Sequence, residues 1–342
     1  MRSVLRPTTE RDGPELISFL LRARSESLPS ESTRPDLLYW KFWAAREDYV
    51  EPRSYVLERN GRIIAHAGIW PMVLRTTTGT YRGCHLFDWA ADPNVLGAGV
   101  AIIQRIYRLF DFLYAIGGAK ITQKIIPAIG FEKIGEAWSG ARPLRPLRQM
   151  LSHQYADWRI PARFVRNALW SLIPAKTKVK GWALSDRFNE ALCPSLLLEN
   201  VPTAAHSDAF FRYLKHCPTA EIKTFELEKE GHFVGRIVLS FLHNQVRIVG
   251  VWLNHPTSDG LCAAYRLAQD AAGSMAEAFE VVCSGSSLVS ETAAIAAGLR
   301  IRGRTPIYVL CARQSPIPAS FEFQIADNDA VFQSDGGPSY WT

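Results

Sequence analysis

The sequence has no Cys-x-x-Cys pair, no run approaching the ~20 apolar residues a membrane-spanning helix needs, and no low-complexity tract before its last thirty residues. Its six cysteines (Cys84, Cys193, Cys217, Cys262, Cys283, Cys311) stand far apart, with no histidine at zinc-ligand spacing. A metal knuckle and a disulfide framework are therefore excluded, and a reducing cytoplasmic setting is expected. The opening MRSVLRPTTERDG lacks the apolar stretch of a secretory leader. Charge of one sign is also scarce: 39 Lys and Arg against 33 Asp and Glu leave +6, too little and too dispersed to suggest a nucleic-acid partner. The 342 residues, 47% hydrophobic and 21% charged, are ordinary globular usage at about twice the length of one typical domain.

The apolar residues set the organisation. Leu16, Ile17, Leu20 and Leu21 recur at helical spacing over 15–24, and a second helix is expected over 36–45 with Leu37, Leu38, Trp40, Lys41 and Trp43. The period then falls to two. Segments 54–58, 62–74 and 80–91 are rich in β-branched and aromatic residues, and Asn60-Gly61 and Thr78-Gly79 between them are hairpin turns. After this meander come Asn94-Val95-Leu96-Gly97-Ala98-Gly99-Val100, a helix to residue 110, a buried strand over 112–116, a short helix over 120–129, the turn Gly130-Phe131 and an extended piece to about 144. The order returns in weaker form: 58–64 is echoed by 228–234, and the strand, glycine, helix and turn of 112–131 by 279–299. Offsets of 231 − 61 = 170 and 298 − 130 = 168 keep the halves in register. A duplicated α/β chain follows, divided as 1–145, a basic linker 146–199, a degenerate second domain 200–312 and a tail 313–342.

The turn Leu96-Gly97-Ala98-Gly99-Val100 joins a strand to a helix, where glycines let backbone N–H groups point at an anion and the helix dipole favours negative charge. It lacks the third glycine of a dinucleotide fingerprint and the Lys-Ser/Thr of a Walker loop, and a bare Gly-x-Gly is equally an ordinary tight turn. In its context the chain resembles the GNAT superfamily of acyl-CoA-dependent acyltransferases, whose pyrophosphate loop reads Arg/Gln-x-x-Gly-x-Gly/Ala. Residues 94–99 match except at Asn94. The resemblance covers about residues 1–145 and implies two GNAT-like domains, each a mixed, mostly antiparallel sheet flanked by helices. It further implies that the backbone of Trp89 and Ala91 meets pantetheine, that Leu96, Gly97, Ala98, Gly99 and Val100 meet phosphate, and that acetyl-CoA is the acyl donor with no metal.

Two departures concern the chemistry. The family's Asn and general-acid Tyr fall on Ala119 and Ile126, so the usual proton donor to the leaving thiolate is missing, and Tyr114 is the nearest substitute. Tyr114 on a buried strand is also a natural core residue. Deprotonating an acceptor amine needs a base. His85 occupies the position of a histidine base in some members. Asp88 matches an acidic residue of GNAT-like proteins from polysaccharide loci, which share a segment like Trp40-Lys41-Phe42. Asp88 is slightly preferred, although either residue is as readily structural. His66, between Ala65 and Ala67, reads as a satisfied core histidine.

The second half offers Thr257-Ser258-Asp259-Gly260, one glycine and an acid where phosphate would bind, and suits an acceptor-binding or structural role. Segment 158–180 alternates Arg and Lys with Trp158, Phe164, Leu169, Trp170 and Leu172. It could rest on an anionic membrane face, but a linker packing its apolar stripe is preferred. Asp327-Asn328-Asp329 reads as a solvated loop, and the aromatic tail around it could fold over a cleft. The expected activity is N-acyl transfer by direct attack of an amine on a small-molecule or glycan acceptor. A Fem-type aminoacyl transferase and a non-catalytic CoA-binding protein are the alternatives. The intact Gly97-x-Gly99 turn favours CoA over a transfer-RNA donor.

Overall fold

The computed structural model describes residues 3–24, 31–76, 79–118, 120–152, 158–172, 179–186, 203–311, 321–332 and 342. It opens on β1 (Val4–Pro7), a strand too short for alternation to reveal. Helices α1 (Gly13–Arg24) and α2 (Pro35–Phe42) follow, the second begun by a proline whose missing N–H costs nothing in a first turn. The meander is β2 (Ser54–Arg59), β3 (Arg62–Arg75) and β4 (Thr80–Ala91). Asn60 and Gly61 both take positive φ, 55° and 71°, as a tight two-residue hairpin requires. Next come α3 (Ala98–Ile106), β5 (Phe112–Ile116), α4 (Lys120–Ala128) and β6 (Glu132–Pro143). Between the halves lie α5 (Pro146–Leu151), α6 (Ile160–Leu172), β7 (Trp182–Ser185) and β8 (Thr203–Ala204). The second half runs α7 (Asp208–Lys215), β9 (Glu221–Lys229), β10 (His232–Leu242), β11 (Gln245–Leu253), α8 (Ser258–Ser274), β12 (Glu280–Gly285), α9 (Leu288–Ala296) and β13 (Arg300–Cys311).

Among the described residues thirteen strands form one mixed sheet flanked by helices, in the order β1-β2-β3-β4-β5-β13-β6-β12-β11-β10-β9-β7, with β8 pairing the end of β3 at Leu74 and Arg75, beyond β2. Among the described residues only β4/β5 and β11/β12 pair in parallel. The halves are not joined end to end at the centre. Strand β13 of the second half inserts between β5 and β6, and β6 of the first half pairs with β12. Each half thereby covers a sheet edge the other would leave unpaired.

The apolar faces close over this sheet in separate clusters. Ile102, Ile103 and Ile106 of α3 pack with Leu57, Ile69 and Leu113 in the first half; α8 and α9 pack on β10–β12 in the second. On the opposite face α1, α2 and α7 share a core with Trp70, Phe87 and the tail residues Ile325, Val331 and Phe332. That tail departs from the expected solvated loop. Gln324 and Asp327 cap a single 3-10 turn reciprocally, Asp327 is buried, and Trp70 Nε1 donates to the Ala326 carbonyl at 2.9 Å. Buried aromatic anchors on either side outweigh the polarity of Asp327-Asn328-Asp329. Helix α6 departs in the other direction, burying Asn167 and Trp170 while its apolar stripe faces outward. The residues 173–178 of that basic segment, and 333–341 of the tail, lie outside the described residues.

Candidate functional site

Strands β4 and β5 stay paired only over Gly83–His85 with Phe112–Tyr114 and then part. The cause is local to β4: its register against β3 shifts between His66 and Gly68, so that Asp88 and Trp89 together face Ala67. This is a β-bulge, which bends a strand and re-aims its side chains. Asp88 takes the left-handed region, φ 47°, a conformation costly for a residue other than glycine. Its surroundings hold it there. His66, fully buried, donates from Nδ1 to the Asp88 carbonyl at 2.9 Å and accepts at Nε2 from Ser54 Oγ at 2.9 Å. Burial holds His66 neutral, its pKa lowered to about 4.

The Asp88 carboxylate sits between Lys41 Nζ and Arg24 Nη2, each at 2.5 Å. Burial by itself would raise its pKa, but the two cations prevail and hold it down at about 2. A carboxylate so engaged is a poor proton acceptor near neutrality; it holds the bulge and also borders the cavity between the strands. Lys41 was legible in Trp40-Lys41-Phe42; Arg24, 64 positions away in sequence, carried no signal.

The parted strands leave a cavity of about 260 Å³, walled by His85, Trp89, Ile103, Ile126, Phe131 and Asp329 among others. His85 is buried, with Nε2 3.4 Å from Asp329 Oδ1 and Nδ1 without a partner. A carboxylate only accepts, so a proton on Nε2 is the one that faces Asp329, and the lone pair then lies on Nδ1. Tyr114 lies beside His85, ring centroids 5.3 Å apart, but its hydroxyl donates to the Asp327 carbonyl and burial drives its pKa well above the ordinary phenol value. It anchors the tail turn that brings Asp329 to His85. Ile126 lines the cavity as an apolar wall, and Ala119 lies outside the described residues.

At the mouth of the cleft the chain turns into α3. Asp92 Oδ1 accepts from the Asn94 N–H at 2.9 Å, Gly97 takes φ 77°, and the Ala98 N–H reaches the Val95 carbonyl at 3.2 Å. The N–H groups of Leu96, Gly97, Gly99 and Val100 have no hydrogen-bond partner among the described residues. No side chain caps this helix and its first turn holds no acid. A Cβ at Gly97 would meet open space, and Gly99 lies against Trp89, whose Nε1 donates to the Gly99 carbonyl at 3.1 Å. Trp89 thus buttresses the turn from below, with Ala91 next to it. These are the features of an anion cradle: unpaired donors, a helix dipole and room in front.

No protein-family model matches the sequence, and no curated protein matches it. Solved structures do match in fold. A GCN5-related N-acetyltransferase from Anabaena variabilis aligns over 90% of this chain and 72% of its own, at 10% identity and TM-score 0.54. A tandem GNAT protein from the clavulanic acid biosynthesis pathway aligns over 92% of this chain and 100% of its own, at 12% identity and TM-score 0.54. A GCN5-related N-acetyltransferase from Sphaerobacter thermophilus covers 93% and 98%, at 10% identity and TM-score 0.50. The chain therefore has the fold of the tandem GNAT proteins, an α/β architecture with a mixed sheet flanked by helices.

Proposed function

We propose that this chain is an acyl-CoA-dependent N-acyltransferase with acetyl-CoA as donor and the first half as its active site. The observation that carries the reading is the continuity of three features: a row of unpartnered N–H groups at the start of α3, a cleft between parted strands, and a buried histidine with a free ring nitrogen in the cleft wall. The residues fit the donor. Leu96, Gly97, Ala98, Gly99 and Val100 would hold its pyrophosphate, and the exposed backbone of β4 at Trp89 and Ala91 its pantetheine. Acyl-CoA supplies an activated thioester. His85 takes the acceptor's ammonium proton on Nδ1, and Asp329 holds the ring in that tautomer and stabilises the imidazolium formed. With Ile126 at the position of the usual acid, the proton on His85 is the one available to the departing thiolate.

The acceptor we propose is an amine of a sugar or glycan precursor. Its support is that Asp88 and the Trp40-Lys41-Phe42 segment, which carry that resemblance, meet in one ion pair beside the cleft. A second reading, a CoA-binding protein without turnover, is favoured by the apolar Ile126 and the engaged Tyr114 hydroxyl.

Thermal unfolding with acetyl-CoA, CoA and ATP tests both. Binding to the folded state adds about 2.7 kcal/mol at a hundredfold excess over Kd, so the two CoA species raise Tm and ATP does not. The absence of a shift at saturation overturns the proposal. A shift without turnover across a panel of amino sugars selects the second reading.

A further inference from the structure

Helix α6 is amphipathic the wrong way round for a soluble linker. Its inner side rests on Asn167, bonded to Gln149 Oε1 of α5 at 3.1 Å, and on Trp170, over which the Arg300 and Arg302 guanidiniums of β13 stack at 4.6 and 6.0 Å. Its outer side is apolar: Val165, Leu169 and Leu172 follow the i, i+4, i+7 spacing of one helical face. Trp158 precedes the helix, and Leu147 and Leu151 project from the neighbouring α5. These six side chains are between 55% and 83% exposed and make up six of the fifteen large apolar residues exposed among the described residues. Water would drive such a set inward if nothing else covered it.

The charge of this stretch of sequence is of one sign. Residues 145–180 contain eight Lys and Arg and a single acid, Asp157, in a chain whose net charge is only +6. Burial, with Arg302, Arg163 and Arg300 crowding it, lowers the pKa of Arg166. A nucleic acid would use the cations and leave the leucines in water; an acidic protein partner would need no tryptophan-led apolar stripe. Exposed arginines such as Arg159 and Arg163 beside an outward apolar face suit the boundary of an anionic lipid layer, where acyl chains take the leucines and headgroups take the arginines.

We propose that α5 and α6 form a peripheral membrane-docking surface, with the outer face of α6 lying in the headgroup region of an anionic bilayer. The attachment is reversible and lies along the surface; among the described residues no helix is long and apolar enough to cross a membrane. It concerns a different face from the β4/β5 cleft and stands whether or not the chain transfers acyl groups.

Co-sedimentation of the full chain with vesicles tests it. The chain pellets with vesicles of phosphatidylglycerol in phosphatidylcholine at low salt, and raising the salt or using phosphatidylcholine alone reduces binding about tenfold. Leu169→Glu with Leu172→Glu, both at exposed positions, lowers partitioning about tenfold or more with Tm unchanged. Arg159→Gln with Arg163→Gln, both at exposed positions, lowers it about tenfold and weakens the salt dependence. Three outcomes overturn the inference: wild-type chain that stays in the supernatant at low salt, partitioning untouched by the leucine pair, or a dimer in light scattering that the leucine pair converts to monomer without vesicle binding. The last would make this face a self-association surface.

Discussion

Both halves part their sheet in the same way, and only one leaves the opening free. In the second half β11 and β12 pair in parallel over Gln245–Ile248 with Glu280–Cys283, a bulge follows between Val238 and Leu239 of β10, and the strands separate. There the chain's own tail enters. Gln324 Oε1 accepts from the Val251 N–H at 2.6 Å, Gln324 bridges Gly285, and Ser286 Oγ donates to the Phe321 carbonyl at 2.7 Å. The helix starts differ as well. Thr257 Oγ1 accepts from the Gly260 N–H at 3.1 Å and Asp259 lies in the first turn of α8, whereas α3 has neither cap nor acid. One half therefore presents uncapped donors and an open cleft, while the other has capped its helix start with Thr257 and filled its cleft. The same tail then continues to the first half and places Asp329 against His85. The duplication has been put to unequal use, and the tail that fills one half supplies a side chain to the other.

The comparison is broken most forcefully at His85. His85→Ala is expected to lower kcat by about 10²–10⁴, the usual range for a general base, with the acetyl-CoA thermal shift retained. Steady-state rates beside the thermal titration check this, and full activity in the variant would move the chemistry elsewhere. Next is the ionic seat under the bulge. Asp88→Asn leaves Lys41 buried without its counter-charge and is expected to destabilise the fold by about 3–5 kcal/mol, whereas adding Lys41→Met recovers much of that loss. Urea unfolding of the single and double variants measures it. Lost turnover with unchanged stability in Asp88→Asn would instead make Asp88 the base. The bulge of the second half has Val249 in the extra position, so no such ionic seat is expected there.

Most elements and their order were legible because periodicity reports burial, and burial is what the sheet imposes. The strand at 112–116, the meander and the echo at 228–299 all follow from alternating or continuous apolar runs. The turn at 94–100 was legible because glycine at φ 77° has few substitutes. The exchange of β6 and β13 was not legible, since each strand carries the same pattern whichever neighbour it pairs with. Arg24 and Asp329 were hidden for a related reason: both reach the site from distant elements, and a polar residue's partner leaves no local trace. At Asp88 sequence shows a carboxylate but not the two cations, Arg24 and Lys41, that engage it.

A smaller effect comes from His66, which pins the first bulge while Val238 and Leu239 face the second. Folded His66 binds a proton only near pH 4, against about 6.5 in the unfolded chain. Between those values the unfolded state holds more protons, so stability is complete above about pH 6.5 and is lost as pH falls toward 4, by about 3 kcal/mol in all. Unfolding midpoints across that window should fall more steeply in the wild type than in His66→Gln. Equal slopes would show that this histidine does not titrate on unfolding.

The smallest effect bears most directly on what separates the halves. Gln324→Ala removes the acceptor from the buried Val251 N–H and is expected to cost about 1–3 kcal/mol, the range for an orphaned buried donor. It also loosens the segment that fills the second cleft, so it asks whether filling alone disables that half. The capped start of α8 says that it does not: with Thr257 on the Gly260 N–H and Asp259 beside it, a phosphate would compete with a bound hydroxyl and meet like charge. Calorimetric titration of Gln324→Ala with acetyl-CoA should therefore still report one site per chain. A second site would mean that the halves remain equivalent beneath the tail, and that a plug rather than the loss of the loop divides them.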